Sequence, residues 1–261
     1  MLLRIIIIAI VYLYGIIIGS FLNVCIYRIP RKENIALTRS HCMNCQSTLQ
    51  NKDLIPVFSY IALKGKCRNC GTKISIQYPI IELVNGLLYI VIFISRGLPF
   101  VTDRTIEFHL TTILYCLVAS TLLVLSVIDF RIYEIPVGIN YFLLVIGLIR
   151  VGLDYTNWSL YLIGFFVIST FLYLLYLFSK GKAIGGGDIK LMAVGGLLLG
   201  GKGILLAFVL GCIIGSVIHL IRIKISHADH VLAMGPYLSI GIFIAMLYGD
   251  QLWSWYLRAL Y

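Results

Sequence analysis

The sequence predicts an all-α polytopic membrane protein with about eight transmembrane helices, one of them short, and one small polar insert. Three observations carry this. Apolar residues make up 60% of the 261 residues and charged residues 12%, with a mean hydropathy of +0.98; that is not the composition of a soluble globular domain. The chain breaks into successive apolar runs long enough, or nearly so, to cross a hydrocarbon core. Four of the seven cysteines fall in the one long polar stretch, between about Arg28 and Tyr78.

The formal net charge of +10 is placed by topology. With the first helix running from outside to inside, one face receives Arg28, Arg31, Lys32, Arg39, Lys52, Lys64, Lys66, Arg68 and Lys73. It also receives Arg131, Lys180, Lys182, Lys190, Arg222 and Lys224, which makes fifteen of the 21 basic residues. Arg4, Arg96, Arg104, Arg150, Lys202 and Arg258 fall on or near the other face. This positive-inside bias puts the N-terminus outside and the polar insert in the cytoplasm. The excess charge therefore points to a lipid bilayer and its anionic lipids as the partner, and not to nucleic acid.

Leu2 to Ile26 reads as the first span, too long in its apolar part for a signal peptide and with most charge after it. Gly19-Ser20-Phe21-Leu22-Asn23-Val24 suits close helix packing, and Tyr27-Arg28-Ile29-Pro30 leaves the membrane. The insert follows, giving a division into 1–27 as first transmembrane helix, 28–78 as insert and 79–261 as membrane core. Ile80 to Ser95 is the second span, with Glu82 one turn inside it, placed either to cap or pair within the bundle or to line a site. Residues 96–107 form a short outer loop, with His109 interfacial beyond it. The third span, near Leu110 to Ile128, delivers Asp129, and a tight turn through Ile135-Pro136 leads to the fourth, Val137 to Leu153. Trp158 anchors the outer turn before the fifth span, Ser159 to Phe178.

Ile189 to Gly200 is short for a crossing. Lys202 marks an outer turn, and Ile204 to Ile221 is the seventh span, with His219 read as a packed histidine. His227 and His230 are three apart but have no third partner, so no metal site is assigned to them. A last span starts around Gly235-Pro236-Tyr237 and ends at Tyr248, before an interfacial belt of Trp253, Trp255 and Tyr256. Cys25, Cys116 and Cys212 lie in apolar runs and read as packed thiols.

The insert holds Cys42-Met43-Asn44-Cys45 and, after 21 intervening residues, Cys67-Arg68-Asn69-Cys70-Gly71. Each C-x2-C pair makes a turn presenting two thiolates, and Cys42, Cys45, Cys67 and Cys70 complete the tetrahedron that zinc takes. Placement in a reducing compartment argues against disulfides. A closed four-thiolate site leaves no position for substrate water, so the zinc is expected to be structural, stapling an insert with little apolar content. His41 is expected to be a solvated neighbour.

The basic, glycine-rich loop Ser179 to Leu191 ends in Asp188, behind Gly185, Gly186 and Gly187. Since the third and fifth spans run inward, Asp129 and Asp188 arrive at the same face despite 59 residues of separation. Each alone is explicable, Asp188 as a helix N-cap and Asp129 as a snorkelled surface acid. Held together, two carboxylates cannot both ionise readily and can activate a water. The glycines let a substrate strand approach the backbone.

Gly185-Gly186-Gly187-Asp188 resembles the GxGD signature of intramembrane aspartyl proteases. With Ile128-Asp129 ahead of Ile135-Pro136, it is similar to the type IV prepilin peptidases, or leader peptidase/N-methyltransferases. The resemblance extends to Gly19 through Val24, Tyr27 through Pro30, Leu54-Ile55-Pro56-Val57 with Ser59-Tyr60, the paired C-x2-C, Tyr78-Pro79 through Glu82, and Gly235-Pro236-Tyr237. It implies an inner-membrane enzyme that removes the leader of prepilins and pseudopilins after a glycine, on the cytoplasmic side. It also implies methylation of the new N-terminus with S-adenosylmethionine. By the same resemblance Asp129 and Asp188 are the catalytic aspartates, and the four cysteines go with the methylating forms. Two positions depart from the pattern: Met43 stands where proline is common, and Val137 where the family often has an acid.

The competing expectations are a peptidase without methylation, a proton-coupled transporter using the same acids, and a non-catalytic zinc-bearing scaffold. A transporter calls for acids near mid-span and for internal repeats. Asp129 and Asp188 lie at span ends and no repeat is evident.

Overall fold

The computed structural model describes residues 2–96, 106–182, 184–226 and 232–260. Residues 97–105 of the outer loop expected at 96–107, and the histidines His227 and His230, lie outside the described residues. Every regular element among the described residues is helical. Leu2–Arg28, Gln77–Ser95, Ile106–Ile132, Tyr155–Phe178 and Gly186–Ile225 are each long and apolar enough to cross a membrane, and Val137–Leu153 is a shorter apolar helix. The chain is thus a helical membrane protein. It divides into two compact units, Met1–Thr102 and Asp103–Tyr261.

In the first unit, α1 (Leu2–Arg28) packs on α3 (Gln77–Ser95), with the short α2 (Phe58–Ala62) in the insert between them. Glycines bring the two long backbones into contact: a Cβ on Gly15 would sit 2.8 Å from Gly86 Cα, and one on Gly19 2.7 Å from Glu82 Cα. Such close approach suits helices that associate without a hydrophobic driving force. Asn85 Nδ2 donates to the Gly15 carbonyl at 2.7 Å and Asn23 Nδ2 to that of Tyr78 at 3.1 Å. Where α1 ends, buried Arg28 gathers the insert's first loop: its Nη1 donates to the carbonyls of Asn34, Ile35 and Thr38.

The second unit contains α4 (Ile106–Ile132), α5 (Val137–Leu153), α6 (Trp158–Phe178), α7 (Gly186–Ser226) and α8 (Gly235–Leu260). Helix α4 continues a turn past the expected end of its span, because Ile132 and its neighbours keep helical bonding until Tyr133 takes a φ of +55°. Asp129 therefore sits in the last turn and not after it. Helix α7 covers what the sequence divides into two spans. It is broken at Gly200, where φ is +71° and ψ 177°, a conformation open essentially to glycine alone. The chain reverses there. In a straight helix, residues 195 and 204 would be about 13 Å apart along the axis, yet a Cβ on Gly195 would lie 3.0 Å from Ile204 Cδ1. The turn is thus centred on Gly200, tighter than the segment expected around Lys202. The returning stretch runs antiparallel to α8, Gly211 against Leu238 and Gly215 against Tyr237. Helix α8 also outruns its expected end at Tyr248, so that Trp253, Trp255 and Tyr256 are helical.

Candidate active site and metal centre

One end of the second unit collects the last turn of α4 and the first turns of α5, α7 and α8. Asp129 is 5% exposed, and its Oδ2 accepts the Gly235 backbone N–H at 2.9 Å. That donor exists because Gly235 opens α8, where the first N–H groups have no partner within the helix. A Cβ on Gly235 would stand 2.7 Å from the same oxygen, so only glycine admits this contact. The expectation for Gly235-Pro236-Tyr237 placed it at the start of a span. Its role as the donor to Asp129 needed the tertiary contact between α4 and α8.

Asp188 lies in the first turn of α7, its backbone N–H bonded to the Gly185 carbonyl at 3.2 Å. It is inside the helix and not its N-cap. Gly187 fits against Ile135, where a Cβ would meet Ile135 Cβ at 2.9 Å; this contact brings the start of α7 onto the turn that follows Asp129. Asp188 is close enough to Asp129 for the two carboxyl groups to interact electrostatically. At the same end, the Arg222 guanidinium lies 5.5 Å from the Phe130 ring centroid. Asp129 is buried and Asp188 half-buried, while Gly185 and Gly186 are exposed. The glycine run is therefore the open side of the pair.

Glu82 belongs to the first unit, where its carboxylate accepts the Val57 N–H at 2.6 Å and bonds the Ser20 side chain. Val57, with φ +60° and ψ −51°, is the centre of a strained γ-turn. Glu82 thus pairs within its own unit and pins the insert to α3.

In the insert, the Sγ atoms of Cys42, Cys45, Cys67 and Cys70 lie within 4.8 Å of one another. Cys42 and Cys70 are 3.8 Å apart, about the edge length of a tetrahedron with metal–sulfur bonds of about 2.3 Å. The two knuckles share one backbone plan. Cys42 N–H bonds the Ser47 carbonyl and Gln46 N–H the Cys42 carbonyl; Cys67 N–H bonds Thr72 and Gly71 N–H bonds Cys67. The fourth residue after each leading cysteine turns left-handed, Gln46 at φ +57° and Gly71 at +70°. The Thr72 hydroxyl and backbone N–H pull the Cys70 thiol down to about 6, and Ser47 lowers Cys45 by the same means. These partners favour the thiolate, the metal-binding form. The donor set therefore fits a metal ion of the zinc type. His41 faces the Arg39 carbonyl, and the four-thiol cluster is complete without it. An ion pair of Arg68 and Asp53 at 2.6 Å ties the second knuckle to the turn Asn51–Asp53.

Fold and site together define a helical membrane protein with an aspartate pair at the end of one helical unit and a four-thiol metal module in the other. Profile comparison agrees with this and narrows it. Residues 13–96 match the bacterial peptidase A24 N-terminal domain, and residues 116–220 the type IV leader peptidase family. A prepilin leader peptidase/N-methyltransferase of Bacillus subtilis (strain 168) is 32% identical over 253 residues, spanning 96% of this chain and 98% of that protein. Proteins of the same name from Legionella pneumophila and Aeromonas salmonicida are 31% and 29% identical, over 95% and 97% of the chain and 93% and 94% of their own length. The chain belongs to the type IV leader peptidase family. No solved structure matches it significantly.

Proposed function

We propose that the chain is a membrane aspartic peptidase that removes the leader of type IV prepilins or pseudopilins, with Asp129 and Asp188 as its catalytic pair. The observation that carries this is the meeting of two acids from α4 and α7 beside an exposed glycine run, in a chain matched over nearly its whole length by leader peptidases. One carboxylate takes a proton from water as its oxygen attacks the scissile carbonyl carbon. The other carboxylic acid protonates the carbonyl oxygen. Collapse of the resulting diol breaks the C–N bond: one acid gives its proton to the leaving amine while the other carboxylate takes one from a diol hydroxyl, which restores the pair. Gly235 N–H holds Asp129 in register throughout. Both acids sit at helix ends, where a leader can reach them from water. A transporter relay at mid-membrane has no counterpart in that placement.

The N-methyltransferase activity in the relatives' name extends to this chain, with S-adenosylmethionine as donor. No strand occurs among the described residues, so a Rossmann-type donor pocket has no framework here, and no residue is assigned to the donor. Cys42, Cys45, Cys67 and Cys70 hold a structural zinc. With α7 counted as two crossings, eight helices span the membrane. The basic-residue bias puts the N-terminus outside and places the insert and both aspartates at the cytoplasmic face of the inner membrane. Residues 1–27 are the first transmembrane helix, 28–78 the zinc insert, and 79–261 carry the peptidase.

Co-expression with a prepilin, read by intact mass, tests both activities together. The expected product is the leaderless pilin carrying one added methyl. A leaderless pilin without the methyl removes the transferase half, and a full-length prepilin removes the proposal.

A further inference from the structure

Asn140 lies on α5, one turn beyond Pro136, and is 5% exposed. Neither its Nδ2 nor its Oδ1 has a hydrogen-bond partner among the described residues. Burying an amide without partners is unfavourable enough that such groups are rare and each calls for a cause. Ser239 Oγ is also unpaired, but a hydroxyl can rotate onto a carbonyl of its own helix. A carbonyl of its own helix could serve the Asn140 Nδ2 alone and would still leave Oδ1 without a donor.

Its helix packs along the one that carries Asp188. Helix α5 and the first stretch of α7 run side by side in the same direction: Ile135 touches Gly187, and Gly147 meets Leu197. Asn140 falls between those two contacts, on the buried face that also holds Ile139, Leu143 and Gly147. Counting back seven helical residues from Gly147 puts Asn140 level with Lys190, about 3 Å deeper than Asp188.

We propose that Asn140 is a substrate-positioning residue, its side-chain amide pairing with a main-chain peptide group of the segment held at Asp129 and Asp188. Nδ2 donates to that group's carbonyl and Oδ1 accepts its N–H. The inference rests on the assignment of the aspartate pair. An extended apolar segment drawn into a low-dielectric site carries peptide groups with no water to bond. Asn140 offers the same donor and acceptor as a peptide group, so two sets of unpaired atoms satisfy each other on binding. A carboxamide also stays neutral, and so leaves the proton balance of the acid pair alone.

The test uses the purified full chain in nanodiscs and a synthetic prepilin peptide, with the variants Asn140→Leu, Asn140→Ala and Asn140→Gln alongside Asp129→Asn and Asp188→Asn. Asn140→Leu is near-isosteric and removes the orphaned atoms, so its thermal midpoint is expected to equal or exceed the parent's. Its kcat/KM should fall about 10- to 100-fold, carried by KM, with an unmoved pH profile and partial recovery in Asn140→Gln. Asn140→Ala supplies the same readout should the leucine fail to fold. Cleavage within twofold of the parent by Asn140→Leu or Asn140→Ala overturns the proposal. So does activity that falls only in step with the thermal midpoint, or a shifted pH profile with KM unchanged. Cleavage retained by the two Asp→Asn variants sinks the site assignment itself, whereas dead Asp variants beside an unimpaired Asn140→Leu sink only the role of Asn140.

Discussion

Gly235 donates its N–H to Asp129 at 2.9 Å, and a methyl group in its place would stand 2.7 Å from the same carboxylate oxygen. The start of one helix thereby fixes the rotamer of an acid 106 residues earlier in the chain. Gly235→Ala must displace that oxygen. Because Gly235 is at a helix start, the substitution is expected to leave the fold intact and to lower kcat about 10- to 1,000-fold, the usual penalty for a displaced catalytic group or donor. Prepilin cleavage kinetics beside a thermal melt measure this.

The two cysteine knuckles differ at one equivalent position. Gln46 holds the left-handed conformation that Gly71 holds in the other knuckle, and a non-glycine residue there is disfavoured by roughly 1 kcal/mol. Gln46→Gly should slow zinc release to a chelator, offset in part by the loss of the Gln46 Nε2 bond to the Met43 carbonyl. Gly71→Ala should speed it. Release kinetics followed with a colorimetric chelator report both.

Arg68 donates to Asp53 and holds that carboxyl below its usual range. A depressed carboxylate pKa stabilises the fold above the unfolded value of about 4 and ceases to do so as pH falls through the folded value. Asp53→Asn should therefore raise the zinc-release rate by one constant factor from pH 5 to 8. Below about pH 4 that factor should shrink toward one as the parent's own Asp53 protonates. A factor that changed between pH 5 and 8 would mean the ion pair does not act as described.

Glu82 holds Val57 in its γ-turn through a charge-assisted bond. Glu82→Ala leaves that N–H unpaired and releases the turn, a loss of about 2 kcal/mol, and also removes the bond to Ser20 on α1. Limited proteolysis should cut near residues 54–58 while zinc stays bound, since no cysteine is touched.

The sequence displays the parts whose meaning is local or compositional. Apolar runs give the helices, the spacing of Cys42, Cys45, Cys67 and Cys70 gives the thiol cluster, and the glycine run before Asp188 gives an acid at a helix start. What it conceals depends on partners distant in the chain. Nothing near Gly235 says that its N–H serves Asp129, and nothing near Asn140 says that its amide is left unpaired. Glu82 has two uses by sequence, and only the placement of Val57 decides between them. The breadth of the turn at Gly200 is hidden for a local reason: a four-residue window of glycines and Lys202 allows several turns, and the packing of Gly195 on Ile204 selects one.

The central claim is that two acids share one reaction. Its most direct measurement is intact mass of a prepilin co-expressed with the parent chain, with Asp129→Asn and with Asp188→Asn, each variant checked for membrane accumulation. The expected outcome is leader removal by the parent and only full-length prepilin with either variant at equal abundance. Substantial leader removal by either variant would contradict a shared site.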